Sequence, residues 1–230
     1  MKVLVVDDDN VSSTLVSRIL QKNGYKTLVV PSAERSIKHL EAGEPIMLII
    51  LDLVMPDMDG KKFMEQHSNR PGMHDIPVII CSGDKLQGSE LQSVQMGAKG
   101  YLVKPIDAET LLKKVEQVVN NTKPPLLDKK QVMSRLQIRE ETYKEMLNIL
   151  IQSGTSAVQE INELMKNKGF EKLLCVAVSL KGGAMSLGAE RLSNVLKKME
   201  DVVKGQKENE IQDMACAVQR EVNIIKSIVQ

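Results

Sequence analysis

The apolar positions in the first half of the chain form short runs separated by amphipathic stretches. The runs are rich in Val, Ile and Leu and end at turn residues, which is typical of strands buried on both faces of a sheet. They cover residues 2–6, 25–30, 46–51, 77–81 and 100–103. The stretches between them repeat apolar residues three and four positions apart, which predicts helices. This alternation predicts an α/β fold with a five-stranded, doubly wound parallel sheet.

The second half of the chain has no such β-rich run, and its apolar residues recur three and four positions apart throughout. Gly or polar residues divide this pattern into segments near 130–151, 154–167, 170–186, 189–204 and 208–229. Between the two halves, the paired prolines within 121–127 prevent the preceding helix from continuing and stiffen a short spacer. We therefore predict a first domain at 1–121, a linker at 122–128 and an all-α helical bundle at 129–230.

Composition narrows the class of protein. The chain has 42% hydrophobic and 27% charged residues, the balance of a globular protein with a buried core. Its 31 basic and 30 acidic residues nearly cancel, so the whole molecule has no net charge that would attract nucleic acid or anionic lipid. There is no secretory signal or membrane-length apolar run, and the 3 cysteines are far apart. We therefore expect a cytoplasmic protein that binds neither membranes nor nucleic acid.

Carboxylates follow two of the predicted strands. Asp7 and Asp8 come directly after the first strand, and Asp52 ends the third. The carboxyl ends of parallel strands meet at one edge of a sheet, so these side chains should form a cluster that needs a cation. Oxygen ligands at a solvent-facing rim suit Mg²⁺ better than Zn²⁺. Ser82 and Lys104 end the fourth and fifth strands and should add a hydroxyl and an ammonium to the same crevice.

Three further acidic residues lie near this crevice in sequence but are predicted to have another role. Asp9, Asp57 and Asp59 stand in turn contexts, and Pro56 and Gly60 mark the second stretch as a loop. We predict that these residues cap turns and helices and that they are not additional metal ligands.

Four motifs at the predicted strand ends carry a family resemblance. Val-Val-Asp-Asp-Asp, Leu-Asp-Leu-Val-Met-Pro-Asp-Met-Asp-Gly, Pro-Val-Ile-Ile-Cys-Ser-Gly and Gly-Tyr-Leu-Val-Lys-Pro occur in that order. Residues 1–120 thereby resemble the flavodoxin-like receiver domain of bacterial response regulators. The resemblance implies that Asp52 accepts a phosphoryl group. It also implies that Asp7, Asp8 and the backbone carbonyl of Val54 hold Mg²⁺ together with Asp52.

The same resemblance implies roles for three residues on the fourth and fifth strands. Lys104 would pair with the phosphoryl oxygens, and Ser82 would turn inward to bind one of them. Tyr101 would then occupy the space that Ser82 vacates. The apolar side chain of Val54, two residues after the acceptor, predicts slow self-dephosphorylation because it cannot position an attacking water. Asp84 complicates that prediction because it could offer a carboxylate nearby.

The helical half contains a second resemblance. Ala-Val-Ser-Leu-Lys-Gly-Gly at 177–183, followed by Leu-Gly-Ala-Glu-Arg-Leu at 187–192, is similar to the central segment of a histidine-phosphotransfer domain, a four-helix bundle. The position that holds the phosphorylated histidine in that family is Val178 here. The chain's histidines all lie in the first half, so none can replace it within the bundle. The resemblance therefore predicts the domain without its phosphotransfer activity.

The surroundings of the missing histidine remain suited to docking. Val178, Lys181, Gly182 and Met185 are three and four residues apart and so share one helix face. On that face Lys181 could meet a phosphate, and Gly182 would leave room for a partner's backbone. We predict a retained docking face, and the alternative is a solvated helix surface with a tolerated glycine.

Two nearby side chains are predicted not to take part in phosphotransfer. Ser179 is rotated by about 100° from the histidine position, so it cannot replace the histidine. Cys175 and the strand residue Cys81 are predicted to be small core residues.

Together these features predict a response regulator of a two-component phosphorelay. A sensor histidine kinase or phosphotransfer protein would phosphorylate Asp52, and this would switch the binding of a protein partner, such as a receiver domain, to the helical half. The protein would be a phosphoacceptor with no catalysis on an external metabolite. Two alternatives stay open: a nucleic-acid-binding transcriptional regulator, and an active phosphorelay intermediate.

Overall fold

The computed structural model describes residues 1–55, 60–70, 73–83, 96–121, 124–166, 169–205 and 207–229. The chain divides into two compact units. The first contains Met1–Ala42 and Ile46–Thr122, and the second contains Gly43–Pro45 and Lys123–Gln230. Among the described residues, no helix combines the length and the apolar character that crossing a membrane requires.

The first unit is a five-stranded parallel sheet with helices on both faces. Its strands are β1 Lys2–Val6, β2 Lys26–Val30, β3 Ile46–Asp52, β4 Val78–Ser82 and β5 Gly100–Val103, and its described helices are α1 Asn10–Lys22, α2 Ala33–Glu41, α3 Gly60–Asn69 and α4 Ala108–Asn120. The strand order is β2-β1-β3-β4-β5, and every neighbouring pair is parallel. The predicted α/β doubly wound fold is confirmed.

Burial differs between the centre and the edges of this sheet. Strands β1, β3 and β4 are almost completely buried, as their apolar sequences predict. The expectation that all five strands are buried on both faces is wrong for β2 and β5, where Val29 and Val103 are exposed. Both are edge strands, which have a neighbour on one side only and are covered less completely by helices.

The turn after β1 shows how a helix start is fixed. The carboxylate of Asp9 accepts hydrogen bonds from the backbone N–H groups of Val11 and Ser12, so Asp9 is the N-cap of α1. This satisfies donors that a helix N-terminus leaves free. The prediction that Asp9 is a capping residue is confirmed. Asp57, Asp59 and Asp84 lie outside the described residues.

The second unit is helical. Its described helices are α5 Lys129–Leu136, α6 Glu140–Lys166, α7 Phe170–Ser186, α8 Glu190–Lys204 and α9 Glu208–Val229. The four long helices form a bundle in which α6 packs against α7 and α9, and α8 packs against the same two helices. Their apolar faces share one hydrophobic core, while the short helix α5 adds Val132 to it. The predicted all-α bundle is confirmed.

The predicted division of the first bundle segment is wrong. The sequence pattern placed a break near 152–153, but α6 continues through Gly154, and the chain turns instead at Gln137, which has a φ of 54°. Gly154 is buried against α9, where an added Cβ would lie 2.5 Å from Val222 Cγ2. The glycine therefore permits two helices to approach closely and does not end a helix.

The end of the predicted linker also differs from the expectation. Leu126 and Leu127 pack against the helical core, and the Leu127 N–H donates to the Gly188 carbonyl at 2.9 Å. Their apolar side chains explain this, because a leucine pair is stabilised by burial. Residues 126–127 thus belong structurally to the helical unit.

Candidate functional site

Acidic side chains meet at the carboxyl ends of two adjacent strands. Asp7 and Asp8 follow β1, and Asp52 is the last residue of β3, its neighbour in the sheet. Each of the three can place a carboxylate oxygen within 4.8 Å of the others. Asp7 and Asp52 are buried, whereas Asp8 is exposed. The parallel register thus brings together residues that are 45 positions apart in the sequence.

Lys104 joins this cluster from the end of β5. Its Nζ lies 2.8 Å from Asp7 Oδ2 and 2.6 Å from Asp52 Oδ2, so one ammonium bridges both buried carboxylates. The peptide bond between Lys104 and Pro105 is cis. The ammonium lies at the expected crevice, within hydrogen-bonding distance of the expected acceptor.

The environment of Lys104 keeps it charged. Burial alone would lower the pKa of its ammonium, but hydrogen bonds to Asp52 and Asp7 and the attraction of both carboxylates outweigh burial and raise that pKa above its ordinary value. Lys104 is therefore cationic throughout the physiological pH range. It supplies a permanent positive charge beside the acceptor.

Backbone groups fix the other oxygen of each buried carboxylate. The Asp9 N–H donates to Asp7 Oδ1 at 2.9 Å, and the Val54 N–H donates to Asp52 Oδ1 at 3.0 Å. Both carboxylates are therefore held between a backbone donor and the Lys104 ammonium. The Val54 side chain is exposed beside this turn. An apolar group thus flanks the acceptor on its solvent side.

The remaining predicted residues lie on β4 and β5, the two strands beyond β3 in the sheet. Ser82 is the buried last residue of β4, and Tyr101 is a partly buried residue of β5 that packs against the hydrophobic core. Cys81 pairs in register with Asp52, and burial raises the pKa of its thiol to about 12. The prediction of a buried Cys81 is confirmed, and the thiol is unreactive at neutral pH.

Gly60 contributes to the site in a way that the sequence analysis missed. It begins α3, and its N–H donates to the Leu53 carbonyl at 3.0 Å. An added Cβ would lie 2.7 Å from Leu53 Cα and 2.9 Å from the Asp52 carbonyl oxygen. Only glycine fits this close to the acceptor's own backbone. Its place in Met-Asp-Gly after Asp52 was the available signal.

The composition of the cluster suits a divalent cation. All its candidate side-chain ligands are carboxylate oxygens, which hard ions such as Mg²⁺ prefer over sulfur or imidazole. Three carboxylates against one ammonium leave an excess of negative charge, which a divalent ion would balance. The exposure of Asp8 leaves that side of the cluster open to solvent, from which an ion and its waters can enter.

In the helical unit, α7 presents the predicted docking face. Val178 is 47% exposed and Met185 is 59% exposed, although both are large apolar residues. Gly182 is exposed, and an added Cβ there would have no heavy atom within 4 Å. This glycine is not needed for packing inside the bundle. The docking face is thus apolar and exposed to solvent, and at its centre Gly182 contributes no side chain.

Lys181 is less available than expected. Its Nζ lies 2.5 Å from Glu200 Oε1 on the adjacent helix α8, and the Glu200 carboxylate is buried. If Lys181 moved away from Glu200, the buried Glu200 carboxylate would lose its compensating charge, which is unfavourable. Lys181 therefore belongs partly to the interior of the bundle, and Val178, Gly182 and Met185 form the accessible part of the docking face.

Cys175 departs from the sequence prediction. It was expected to be a core residue, but its side chain is exposed on α7. The core side of α7 is occupied by Leu173, Ala177, Leu180 and Ala184, and Cys175 falls outside that stripe. Burial of a lone cysteine is a statistical tendency, and here the helical phase places it on the surface.

Comparisons with known proteins address both units. Residues 3–116 match the family model of the response regulator receiver domain, and residues 145–227 match that of the Hpt domain. The two-component response regulator ORR3 of Oryza sativa subsp. indica is 30% identical over 104 residues, which are 45% of this chain and 79% of that protein. This chain belongs to the two-component response regulator family. It is a phosphorelay protein that combines a receiver domain with an Hpt domain.

Two further similarities were found. The 3',5'-cyclic-nucleotide phosphodiesterase regA of Dictyostelium discoideum is 24% identical over 228 residues, which cover 96% of this response regulator but 27% of regA. The receiver domain of the Francisella response regulator 1452 has 25% sequence identity and a TM-score of 0.49, covering 53% of this chain and 98% of that chain.

The family establishes the general character of the two domains. Receiver domains are signalling modules that bind Mg²⁺ through acidic residues, and the cluster of Asp7, Asp8 and Asp52 is present in this one. Receiver and Hpt domains interact with histidine kinases or with phosphotransfer partners. The response regulator therefore contains two modules of phosphoryl signalling.

Proposed function

We propose that this response regulator is phosphorylated on Asp52 with Mg²⁺, and that its helical domain is a protein-binding output that carries no phosphoryl group. The observation that carries the first half is the cluster itself, in which one lysine bridges Asp7 and Asp52 while Asp8 leaves an open side. The observation that carries the second is the exposed Val178 at the position expected for histidine.

The residues of the cluster have complementary roles in this proposal. An Asp52 carboxylate oxygen attacks the phosphorus of a donor such as phosphohistidine, the bond from phosphorus to the donor nitrogen breaks, and the donor imidazole takes up a proton. Asp7, Asp8, Asp52 and the Val54 carbonyl would hold Mg²⁺, which would neutralise charge on the transferring group. Lys104, already on Asp52 Oδ2, pairs with a phosphoryl oxygen.

Two residues then convert phosphorylation into a change of surface. Ser82, at the end of β4, binds another phosphoryl oxygen through its hydroxyl, and Tyr101 moves into the space that this leaves. Ser82 ends β4, which pairs with the acceptor strand β3, and Tyr101 lies on β5, which pairs with β4, so a shift of either is transmitted to the surface at β4 and β5. The proposed switch is a local rearrangement that biases partner binding.

In this proposal the helical domain binds a partner protein without phosphotransfer, because it has an exposed docking face but lacks the histidine nucleophile. Valine has no group that can accept a phosphoryl group, so docking at Val178 ends without transfer. The low, apolar surface around Gly182 fits a protein partner, which could be a receiver domain. The domains proposed for these roles are 1–121 and 129–230.

A charge at the centre of the docking face tests this function. Gly182→Glu should weaken partner capture from native extract about tenfold or more, because it buries a carboxylate in an apolar interface. The bundle should remain folded, since the position is open. Gln159→Glu, which adds the same charge at an exposed position of α6, is the matched control. Equal capture by both variants would remove the face from the mechanism.

Restoring the histidine gives a complementary test. Val178→His should accept a phosphoryl group from a phosphorylated receiver if the docking geometry survives, and the product would be acid-labile and base-stable. A folded variant that never becomes labelled would show that the face has changed to another task. Lys181→Ala in the same background reports whether the Glu200-bound ammonium contributes.

We also propose that the protein is cytoplasmic. The three cysteines are free thiols, which agrees with a reducing cytoplasm. We propose that the protein performs no catalysis on an external metabolite and does not bind nucleic acid. A filter-binding titration against salt tests the latter: a steep loss of DNA affinity with rising salt would favour a transcriptional regulator.

A further inference from the structure

A short segment that precedes the four long helices closes over the end of α7. We call residues 126–136 the cap; it consists of the end of the predicted linker and the short helix α5. The cap lies before residues 145–227, the part of the chain that matches the Hpt family model. Val132 is its buried anchor, with 1% exposure, and Leu126 and Leu127 pack against the same core. The cap is thus an additional piece of chain seated on the bundle.

The cap supplies hydrogen-bond donors to the end of α7. The last carbonyls of a helix have no partner within the helix itself. The Arg135 guanidinium donates to the Ser186 carbonyl at 2.7 Å and lies 3.4 Å from the Met185 carbonyl. The Leu127 N–H donates to the Gly188 carbonyl at 2.9 Å. Arg135 also places a positive charge at the helix C-terminus, where the helix dipole favours a cation.

The turn after α7 is shaped to receive the cap. Gly188 has a φ of 75°, and a Cβ added to it would lie 2.8 Å from Val132 Cγ2 and 3.0 Å from Leu127 Cβ. Glycine at this position therefore permits both the left-handed turn and the close approach of the cap. The Leu187 carbonyl accepts from the Tyr143 hydroxyl of α6, so the turn also has a contact that does not depend on the cap.

The end of α7 that the cap covers is also one end of the docking face. Gly182 and Met185 lie in the last two turns of α7, which ends at Ser186. If the cap left the bundle, the Ser186 carbonyl would lose the guanidinium and the core would lose the Val132 side chain. Helix ends without such contacts open most easily. The position of the cap therefore decides how well the Met185 end of the docking face is ordered.

We propose that the cap is a conformational latch for the docking face. When seated, it holds the last turn of α7 in place, and when released, it allows that turn to fray. Because the cap continues the linker that follows the receiver unit, the phosphorylation state of Asp52 acts on the docking face through it. The inference rests on the proposed function and adds the route by which the docking face is regulated. Such coupling is reciprocal, so a change at either end must appear at the other.

Backbone amides report on both parts of the latch. The Leu127 amide is bonded to the turn after α7, so its hydrogen exchange measures whether the cap is seated. The Leu187 and Ala189 amides donate to the carbonyls of Gly183 and Ala184, so their exchange measures the order of the last turn of α7. Exchange is followed in the full-length protein.

Two variants of the cap test its hold on α7. Val132→Asp places a carboxylate at a buried position and should speed exchange of the three reporter amides about tenfold or more. Gln131→Asp adds the same charge at the exposed neighbouring position and should leave them within about twofold. Exchange in the middle of α9 shows that the bundle remains folded.

The milder variant Arg135→Ala decides the matter if Val132→Asp does not fold. It removes only the exposed guanidinium and should speed exchange at Leu187 and Ala189 about threefold. Lys130→Ala, which removes another exposed cation of α5, is its control and should have no effect.

Beryllofluoride with Mg²⁺, which imitates the acyl phosphate, tests the route from the receiver unit. It should change exchange of the Leu127 amide at least about threefold in the wild type and leave Asp52→Asn unchanged. Slower exchange means that phosphorylation seats the cap, and faster exchange means that phosphorylation releases it. Either result supports transmission through the cap.

The outcomes separate this inference from the proposed function. Faster exchange at Leu127 with unchanged exchange at Leu187 and Ala189, in folded Val132→Asp, would show that the cap does not hold α7 and would overturn the latch. A response of the Val54 amide beside the acceptor without one at Leu127 would overturn the route through the cap. If beryllofluoride leaves the Val54 amide itself unchanged, phosphorylation of Asp52 is the claim that fails, and the cap variants still decide whether the cap holds α7.

Discussion

The bridge that Lys104 forms between two buried carboxylates leads to a quantitative prediction for Lys104→Met. The side chains of Asp7 and Asp52 are 5% and 8% exposed, so both depend on the ammonium for compensation. Removing one partner of a buried ion pair typically costs about 3–5 kcal/mol. Water can reach this rim and lowers that cost. We therefore expect the substitution to destabilise the receiver unit by at least about 2 kcal/mol at neutral pH.

The same substitution should strengthen Mg²⁺ binding. A divalent ion and an ammonium about 5 Å apart, the scale of the carboxylate cluster, repel by about 1.7 kcal/mol even at the dielectric constant of water. Removing that repulsion should raise Mg²⁺ affinity about tenfold or more. Phosphorylation of Asp52 should nevertheless become slower, because Lys104 no longer pairs with the phosphoryl oxygens. A less stable receiver unit, a higher Mg²⁺ affinity and slower phosphorylation of Asp52 in the same variant would together identify the role of Lys104.

The pH dependence of the stability effect has a defined sign. The folded pKa of Lys104 is raised, so the stability that it contributes is fully present below its unfolded pKa and is lost as the pH rises through the folded value. The difference between wild type and Lys104→Met should therefore persist from neutral pH to about pH 10, near the ordinary lysine pKa. It should shrink only at higher pH.

Calorimetric Mg²⁺ titration and hydrogen exchange of the β1 and β3 amides measure these effects. Lys104→Arg retains the charge and should lose less stability. Lys38→Met removes a lysine whose pair with Glu34 is exposed, so it should change stability by at most about 0.5 kcal/mol and leave Mg²⁺ affinity unchanged. Unchanged or weaker Mg²⁺ binding by folded Lys104→Met would refute the placement of the ion beside this ammonium.

Four further predictions concern other parts of the chain. Val54→Asn should shorten the lifetime of phosphorylated Asp52, measured as loss of label, because an amide can position an attacking water; an equal or longer lifetime would contradict this. In native protein Cys81 should resist iodoacetamide at pH 8 while exposed thiols react, and equal rates by mass spectrometry would argue against its burial. Gly154→Ala should destabilise the bundle by about 1–3 kcal/mol through the Val222 contact. Gly182→Ala should stabilise it by up to about 1 kcal/mol, and urea unfolding that shows the same sign for both would refute the packing argument.

The receiver half of this molecule could be predicted well because its chemistry follows strand ends. Alternating runs of apolar and amphipathic residues determine a parallel sheet, and that sheet necessarily gathers residues after β1, β3 and β5 at one edge. Asp7, Asp52 and Lys104 therefore came together as expected. The role of Gly60 could not be read from spacing alone, since it depends on how closely α3 approaches the backbone of Asp52.

The helical half was harder to predict because helical periodicity does not specify which helices touch. The pairing of Lys181 with Glu200 joins two helices, and only the bundle geometry reveals it. Gly154 suggested a helix end, although its real function is close packing against Val222. The exposure of Cys175 likewise depends on helical phase within the bundle. Val178 was identified because a motif fixed its position.

Phosphorylation of Asp52 is the central claim, and a labelling experiment tests it most directly. Full-length protein is incubated with a small phosphodonor with and without Mg²⁺, and the products are measured by intact mass and peptide mapping. We predict a single phosphoryl group on Asp52 that requires Mg²⁺ and disappears in Asp52→Asn, because the amide is a poor nucleophile and a weaker ligand. Equal labelling of Asp52→Asn, or labelling of the wild type that does not depend on Mg²⁺, would contradict the account.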